Sequence, residues 1–257
     1  MEWYYYLIAV LGGTLAGVLN TLAGNGSAIT LSILTLIFQL PENTANGTNR
    51  VGIMLQSLVS TNTFYRKGKL NIRRSLPFII PTVIGALLGV WAALLVTNDQ
   101  FRFVFTVLMV VMLVVILVKP KRWLQPTNLD VSRPLWIIIP VFLALGFYGG
   151  FIQMGMGVFF LAAMVLGARY SIIEANGVKI FVVGLYTIAV LAIFASRGLV
   201  DWRIGGILAA GQGIGAWMAA RFATDHPKAD VWAHRLLVIV VLAAVLKLIG
   251  IGQWFSL

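Results

Sequence analysis

Hydrophobic runs of helical length fill most of the chain, and short polar stretches separate them. Runs near 20 residues fit the hydrocarbon core of a bilayer when they are helical, so the pattern predicts an all-α polytopic membrane protein. Each half contains about five such segments. They lie at about 4–22, 27–40, 51–65, 76–97, 101–118, 135–152, 157–168, 178–195, 204–222 and 235–254.

The second and third segments of each half look short. A helix of about 14 residues spans about 21 Å, less than the roughly 30 Å hydrocarbon core. Either their flanking turns lie below the membrane surface or they enter without crossing, so about eight to ten segments cross. The turns GNG, ANGTN, QMGMG and EANGVK are then expected near membrane depth. Irregular backbone is tolerated there only inside protein or beside a wet cavity.

The second half repeats the first about 130 residues later. Ala45-Asn46-Gly47 recurs as Ala175-Asn176-Gly177, and the glycine pair Gly24-x-Gly26 recurs as Gly155-x-Gly157. The repeat predicts a first transmembrane repeat at 1–118, a cytoplasmic linker at 119–134 and a second transmembrane repeat at 135–257. Duplicated halves with breaks at matching places are typical of secondary transporters whose site lies between the repeats.

Composition places the whole chain in the bilayer. The chain is 60% hydrophobic and 11% charged, against roughly 25% charged in an average soluble domain. It contains no cysteine, which excludes disulfides and thiol chemistry. Its net charge of +11 is spread over short loops beside apolar segments, so we attribute it to orientation in the membrane and expect no nucleic-acid partner.

The basic residues favour one topology. If all five segments per half cross, the halves are inverted, and one face receives fourteen bases against four. Those fourteen are Arg66, Lys67, Lys69, Arg73, Arg74, Lys119, Lys121, Arg122, Arg133, Arg169, Lys179, Arg221, Lys228 and Arg235. Parallel halves with four crossings each would divide the bases less sharply. The positive-inside rule therefore predicts a multi-pass membrane protein with inverted repeats and both termini outside.

Two stretches of sequence carry a resemblance to a known family. They are AGNGSAITLSILTLIFQLPENTANGTNRVG with FYRKGKLNIR, and GFYGGFIQMGMGVFFLAAMVLGARYSIIEANGVKIFVVG with SRGLVDWR. They resemble the two repeats of the sulfite exporter TauE/SafE family, also called toluene sulfonate uptake permeases. The resemblance covers essentially the whole chain and implies an inner-membrane carrier for sulfite, sulfonates and related anions. The family is usually described as a duplication of four spans, which differs from five segments per half.

Positive charge lies beside both duplicated turns. Arg50 and Lys179 are predicted in the first turn of a following helix, where free N–H groups and the helix dipole favour an anion. The predicted substrate-binding set adds neutral donors and comprises Asn25, Asn46, Thr48, Asn49, Arg50, Asn176 and Lys179. The alternative is that both cations snorkel to the interface, as expected for Arg102 and Lys247.

The glycines divide into two groups. Gly24, Gly26, Gly155 and Gly157 interrupt hydrophobic segments in both halves, and we interpret them as functional breaks where the backbone adopts positive φ or approaches a ligand. Helix packing is the alternative, and it is the preferred interpretation for Gly12, Gly13, Gly17, Gly211, Gly213 and Gly215. Gln56 lies inside the third segment, where interhelical hydrogen bonding and cavity lining are equally expected.

The remaining polar residues argue against metal transport and against catalysis. All eight carboxylates fall in loops or at segment ends, so neither metal transport nor a metal site is expected. No catalytic constellation is present, and neither enzyme activity nor a cofactor is expected. The duplicated halves together with the family resemblance predict an alternating-access transporter of a small sulfur-containing anion across the inner membrane, with a passive anion channel or a carrier of a non-sulfur organic anion as the alternatives. A homodimer is left open.

Overall fold

The protein is helical throughout the part described by its structure, a computed structural model. Residues 3–95, 124–128, 134–151 and 153–248 are described. The predicted segment 101–118, Arg102 and most of the linker 119–134 lie outside them. The helices are α1 (Trp3–Leu22), α2 (Ser27–Ser32, continued by a π-helical turn Ile33–Ile37), α3 (Glu42–Arg66), α4 (Ile72–Ala93), α5 (Leu135–Phe151), α6 (Met156–Ala162, continued by a π-helical turn Ala163–Gly167), α7 (Ile172–Ser196), α8 (Trp202–Asp225) and α9 (Ala229–Leu248).

Several of these helices suit a membrane. By length and composition α1, α4 and α7 could each cross one, and 27–37, α5 and 156–167 are shorter apolar helices. The all-α class and the membrane character predicted from the hydrophobic pattern are therefore confirmed for the described residues. The short second segment of each half is also confirmed, since 27–37 and 156–167 are only about 16–18 Å long.

The short third segments predicted from the sequence are wrong. Helix α3 begins at Glu42 and α7 at Ile172, and each has 25 residues. The ANG sequences do not break these helices, because their glycines serve close packing. A side chain at Gly47 would collide with the carbonyl oxygen of Leu199, and one at Gly177 would lie 2.9 Å from that of Lys69. Tertiary packing therefore overrides the low helix propensity of Asn-Gly.

Each half begins with a helical hairpin. In hairpin 1 (3–37), α2 folds back along α1, so that Gly26 packs on Ala16 and Gly12 faces Ile33. In hairpin 2 (135–167), α6 folds back along α5. The rings of Tyr148 and Phe159 lie 5.6 Å apart, and those of Phe142 and Phe160 lie 5.0 Å apart. Each hairpin turns at one of the predicted glycine breaks.

Each hairpin packs on a helix from the other half. Helix α1 lies along α8, and α5 lies along α4. Glycines make these contacts close. A Cβ atom added at Gly13 would lie 2.8 Å from the carbonyl oxygen of Leu208, and one added at Gly146 would lie 2.7 Å from the carbonyl carbon of Thr82. The packing interpretation is confirmed for Gly13, Gly17, Gly211 and Gly215, which all face backbone of the partner helix.

Local backbone features recur at the spacing of the sequence repeat. Helices α3 and α7 have equal length, and the two π-helical turns start at Ile33 and at Ala163. Positive φ angles occur at Gln39 (53°) and Arg169 (63°), and at Gly68 (67°) and Gly198 (66°). Within the described residues, these local features thus recur about 130 residues apart.

Several of the described loops and helix ends gather into two groups. In the basic loop group (66–74, 124–128, 167–174 and 225–228), Lys67 Nζ lies 2.7 Å from Asp225 Oδ1, and the Tyr170 hydroxyl donates to the carbonyl of Arg74 at 3.5 Å. In the N-terminal loop group (3–6, 38–48 and 197–203), the Asp201 N–H donates to Thr48 Oγ1 at 2.9 Å. There the Arg203 guanidinium also lies 5.4 Å from the Tyr6 ring centroid.

Candidate functional site

The tips of the two hairpins meet, and they do so at the predicted glycine breaks. A side chain at Gly24 would lie 2.6 Å from Gly157 Cα, and one at Gly157 would lie 2.5 Å from Gly24 Cα. The backbone is left-handed at Gly24 (φ 85°) and Gly155 (φ 79°). The expectation of positive φ is thus confirmed for these two glycines and wrong for Gly26 (φ −63°) and Gly157, where close packing requires glycine instead.

Lys179 binds the C-terminal end of α1, the first helix of hairpin 1. It lies in the second turn of α7 and is only 2% exposed. Its Nζ donates to the carbonyls of Asn20 (2.8 Å) and Thr21 (3.2 Å) in the last turn of α1. A third bond joins Nζ to Asn176 Oδ1 at 2.6 Å, and the Asn176 amide donates to the Leu22 carbonyl at 3.1 Å. A cation at a helix C-terminus is stabilised by unpaired carbonyls and by the helix dipole.

Arg50 occupies the equivalent place at the second hairpin. It lies on α3 and is fully buried. Its guanidinium donates to the carbonyls of Gly149 (3.1 Å) and Gly150 (3.3 Å) at the end of α5, and to Gln153 Oε1 in the break. Asn46 Oδ1 accepts a further bond from Arg50 at 3.4 Å. The C-terminal ends of α1 and α5 are therefore each bound by a cation and an asparagine, which α7 supplies to α1 and α3 supplies to α5.

The expected helix N-terminal position of these cations and the snorkelling alternative are both wrong. Neither snorkels to an interface, because both are buried against helix ends. Neither lies beside free N–H groups at a helix N-terminus, because α3 and α7 begin at Glu42 and Ile172. Both cations instead bind carbonyls at helix C-termini. The side chain of Lys247, expected at the interface, lies outside the described part of α9.

The other predicted site residues have separate surroundings. Asn49 is buried and accepts a hydrogen bond from Thr30 Oγ1 at 2.6 Å, while its Nδ2 has no partner. Asn25 lies buried in the hairpin 1 tip with Oδ1 unpaired. Thr48 is bound to the backbone of Asp201, and this contact belongs to the N-terminal loop group. The structure thus brings Asn46 to Arg50 and Asn176 to Lys179, whereas the hydroxyl of Thr48 binds Asp201 instead.

A small polar cavity lies beside the two tips. It is lined by Asn20, Gln56, Ser57, Gln153, Gly157, Lys179, Ile180 and Val183. Gln56 is therefore a cavity residue, which decides between the two roles left open for it. The sequence alone did not identify Asn20, Ser57 and Gln153 as site residues. Asn20 carried a usable signal, since it is a polar residue in an apolar helix just before a glycine break.

Unpaired polar atoms face this cavity. Gln56 Oε1 and Ser57 Oγ are buried and have no hydrogen-bond partner in the protein. Buried polar atoms normally have a partner, so such atoms mark a place where water or a polar solute binds. The cavity thus offers a cation, several amide and hydroxyl groups, and an apolar wall formed by Ile180 and Val183.

No carboxylate balances the two buried cations within the described ranges. The ion pair found there, Lys67–Asp225, lies in the basic loop group, with side chains 47% and 48% exposed. Isolated buried charges are costly, and two helix C-termini supply only about half an elementary charge each. The region around the tips is therefore electropositive. In the same ranges, no cluster of His, Cys, Asp and Glu could hold a metal ion.

Comparisons with known proteins point to one family. The profile of the sulfite exporter TauE/SafE family matches residues 9–248. The chain is 27% identical to the probable membrane transporter protein ORF9 of a Sinorhizobium species over 248 residues, covering 96% of this chain and 94% of that protein. It is 25% identical to the probable membrane transporter protein YfcA of Escherichia coli K12 over 242 residues, covering 93% and 88% of the two chains. No solved structure matches. The chain therefore belongs to the sulfite exporter TauE/SafE family of membrane transporters.

Proposed function

We propose that this protein is a secondary transporter that moves a small sulfur-containing anion across the inner membrane by alternating access. The observation that carries the proposal is the pair of buried cations, Arg50 and Lys179, without a carboxylate partner in the described residues. An anion is the solute that such a region attracts most strongly. The sulfur chemistry rests on the family description, and we propose no catalytic activity.

The proposed substrate site is the cavity beside the hairpin tips. Lys179 provides the charge, and Asn20, Gln56, Ser57 and Gln153 provide neutral hydrogen-bonding groups. In this proposal Asn176 positions Lys179, while Asn46 and Arg50 hold hairpin 2. Asn49 contributes an unpaired amide N–H donor near α2, whereas the unpaired atom of Asn25 in the hairpin 1 tip is an oxygen, which only accepts hydrogen bonds. Fixed dipoles of this kind replace the hydration shell of an anion without further reorganisation.

We further propose that the two halves are inverted repeats in a multi-pass arrangement. The loop after α3 lies in the basic loop group with the loop before α7, so α3 and α7 run in opposite directions. The hairpins would then enter from opposite faces and turn inside the membrane without crossing. Removing the two buried cations from the base count leaves thirteen against three, which is still a sharp division. The proposal keeps the repeats at 1–118 and 135–257, joined by the cytoplasmic linker.

The carrier competes with two alternatives. A passive anion channel would not require two pseudo-equivalent hairpins that meet at their tips. A carrier of a non-sulfur organic anion is supported by one observation, the apolar wall that Ile180 and Val183 form in the cavity. The same observation supports an alkyl sulfonate.

Counterflow in proteoliposomes tests the carrier proposal. Vesicles are loaded with unlabelled sulfite, methanesulfonate, sulfate, acetate or phosphate, and uptake of the labelled counterpart is followed. A carrier is expected to accumulate label transiently for the sulfur anions, because influx and efflux share one occupied site. Uptake without transient accumulation would indicate a channel, and preference for acetate would overturn the sulfur assignment.

The topology proposal predicts that both termini face the periplasm. A reporter that fluoresces only in the cytoplasm, fused after Leu257, is expected to stay dark. The reason is that the thirteen loop bases assigned above belong on the cytoplasmic face. The same reporter inserted in the linker at Leu124 is expected to fluoresce. Bright fluorescence from the C-terminal fusion would overturn the inverted arrangement.

A further inference from the structure

Lys179 with Asn176 forms a clamp on hairpin 1, and Arg50 with Asn46 forms a clamp on hairpin 2. The two clamps are equivalent in position but not in their relation to the cavity. Lys179 lines the cavity, whereas Arg50 does not line it and reaches it only through Gln153. Both cations bind backbone carbonyls at a helix C-terminus, Arg50 at the end of α5 and Lys179 at the end of α1. A solute in the cavity therefore meets the clamp on hairpin 1 directly and the clamp on hairpin 2 only through another side chain.

All three N–H groups of Lys179 are already used. They are directed to the Asn20 carbonyl, the Thr21 carbonyl and Asn176 Oδ1. An ammonium group has three donors, so an anion can bind Lys179 directly only if it displaces one of these acceptors. Asn20 is both an acceptor of Lys179 and a cavity residue, whereas Thr21 and Asn176 do not line the cavity.

We infer that Lys179 is a shared cation, for which an anion in the cavity competes with the carbonyl end of α1. The inference rests on the proposed function. When the anion binds Lys179, one carbonyl in the last turn of α1 loses its hydrogen bond from Lys179, and α7 holds the tip of hairpin 1 less tightly. When the anion leaves, that carbonyl binds Lys179 again. Lys179 thus couples occupancy of the site to the position of one hairpin.

The chemistry of the two side chains supports this difference between the clamps. An ammonium group on a flexible four-carbon stem can reorient its donors at little cost, whereas a guanidinium is a rigid planar fork. The Arg50 fork is fixed by Gly149, Gly150 and Gln153 together. Hairpin 2 is therefore the fixed element in this scheme, and hairpin 1 is the element that responds to the anion.

A matched pair of substitutions tests the competition. In Asn176→Asp a carboxylate replaces the amide oxygen 2.6 Å from Lys179 Nζ, giving Lys179 a permanent partner. Methanesulfonate affinity is expected to fall about 10- to 150-fold, because a charge-assisted bond to the anion is lost. The comparison variant Asn46→Asp gives Arg50 the same partner and is expected to weaken binding less than Asn176→Asp does, because Arg50 reaches the cavity only through Gln153.

Calorimetric affinity and thermal stability are measured on the same preparations. If Asn176 had only a structural role, affinity and stability would fall together, whereas the inference expects stability to be retained. Equal affinity losses in the two variants would overturn the difference between the clamps. Failure of the wild-type protein to bind methanesulfonate would overturn the proposed sulfonate site, and this inference with it.

The absence of cysteine from the chain allows a second measurement that leaves both clamps intact. Single thiols are introduced by Ala23→Cys in the hairpin 1 tip or by Met154→Cys at the corresponding place in hairpin 2. Methanesulfonate is expected to speed maleimide labelling at position 23 about tenfold and to leave position 154 unchanged, because only the clamp on hairpin 1 is weakened. Binding without faster labelling at position 23 would overturn the inference and leave the proposed function standing.

Discussion

Replacing Lys179 by glutamine is expected to weaken anion binding about 10- to 150-fold, because the charge-assisted bond to the substrate is lost. The protein is expected to remain folded, since the glutamine amide can still donate to one of the α1 carbonyls that Lys179 binds. Calorimetric affinity for methanesulfonate and the melting temperature in detergent give the two quantities. Arg203→Gln is the control, because Arg203 lies over Tyr6 in the N-terminal loop group.

The matching change at Arg50 is expected to act on stability. Arg50 donates to four acceptors, and a glutamine amide has only two N–H groups, so Arg50→Gln leaves at least two of the four without a donor. Each unpaired buried acceptor costs about 1–3 kcal/mol, against a typical margin of about 5–15 kcal/mol. A folded Arg50→Gln variant that merely binds the anion weakly, as Lys179→Gln does, would contradict the division of roles.

Valine at Gly24 or Gly157 is expected to abolish transport. The backbones of these glycines touch, so the added atoms must separate the hairpin tips, and at Gly24 the φ of 85° adds backbone strain. The measurement is counterflow of methanesulfonate, normalised to the amount of inserted monodisperse protein. Because overpacking commonly costs about 1–3 kcal/mol, part of each variant is expected to insert and fold.

Two other glycines provide the controls for this experiment. Gly206 on α8 has open space around it, so Gly206→Val is expected to transport normally. Gly13→Val pushes α1 away from α8 and is expected to reduce the yield of folded protein instead. Normal transport by Gly24→Val and Gly157→Val would show that the contact between the tips is unimportant.

The sequence predicted the elements better than it predicted their contacts. The hydrophobic pattern and the repeat located the helices, and the duplicated turns drew attention to Arg50, Lys179 and their asparagines. The start of α3 at Glu42 could not be predicted from the sequence. Gly47, in the turn expected to precede the helix, is needed because its backbone packs against Leu199, more than a hundred residues away in sequence. Local propensity carries no information about such a partner.

The roles of the cations were missed for a related reason. Their partners are backbone carbonyls, which every residue has, so no sequence pattern marks Asn20, Thr21, Gly149 or Gly150 as acceptors. Gln153 was visible only as an unusual residue in the second glycine break. Its contact with Arg50 depends on how hairpin 2 folds against α3, which periodicity does not reveal.

The packing of each hairpin on a helix from the other half also has a consequence for synthesis. Gly13 of α1 packs on the backbone of Leu208, so its partner is made nearly two hundred residues later. At about 5–20 residues per second, hairpin 1 waits roughly 10–40 s in the membrane before α8 arrives. During that time its glycine face and the polar groups of its tip must be sheltered by lipid head groups, water or the insertion machinery. The ribosome therefore completes most of the chain before the first hairpin can reach its native position.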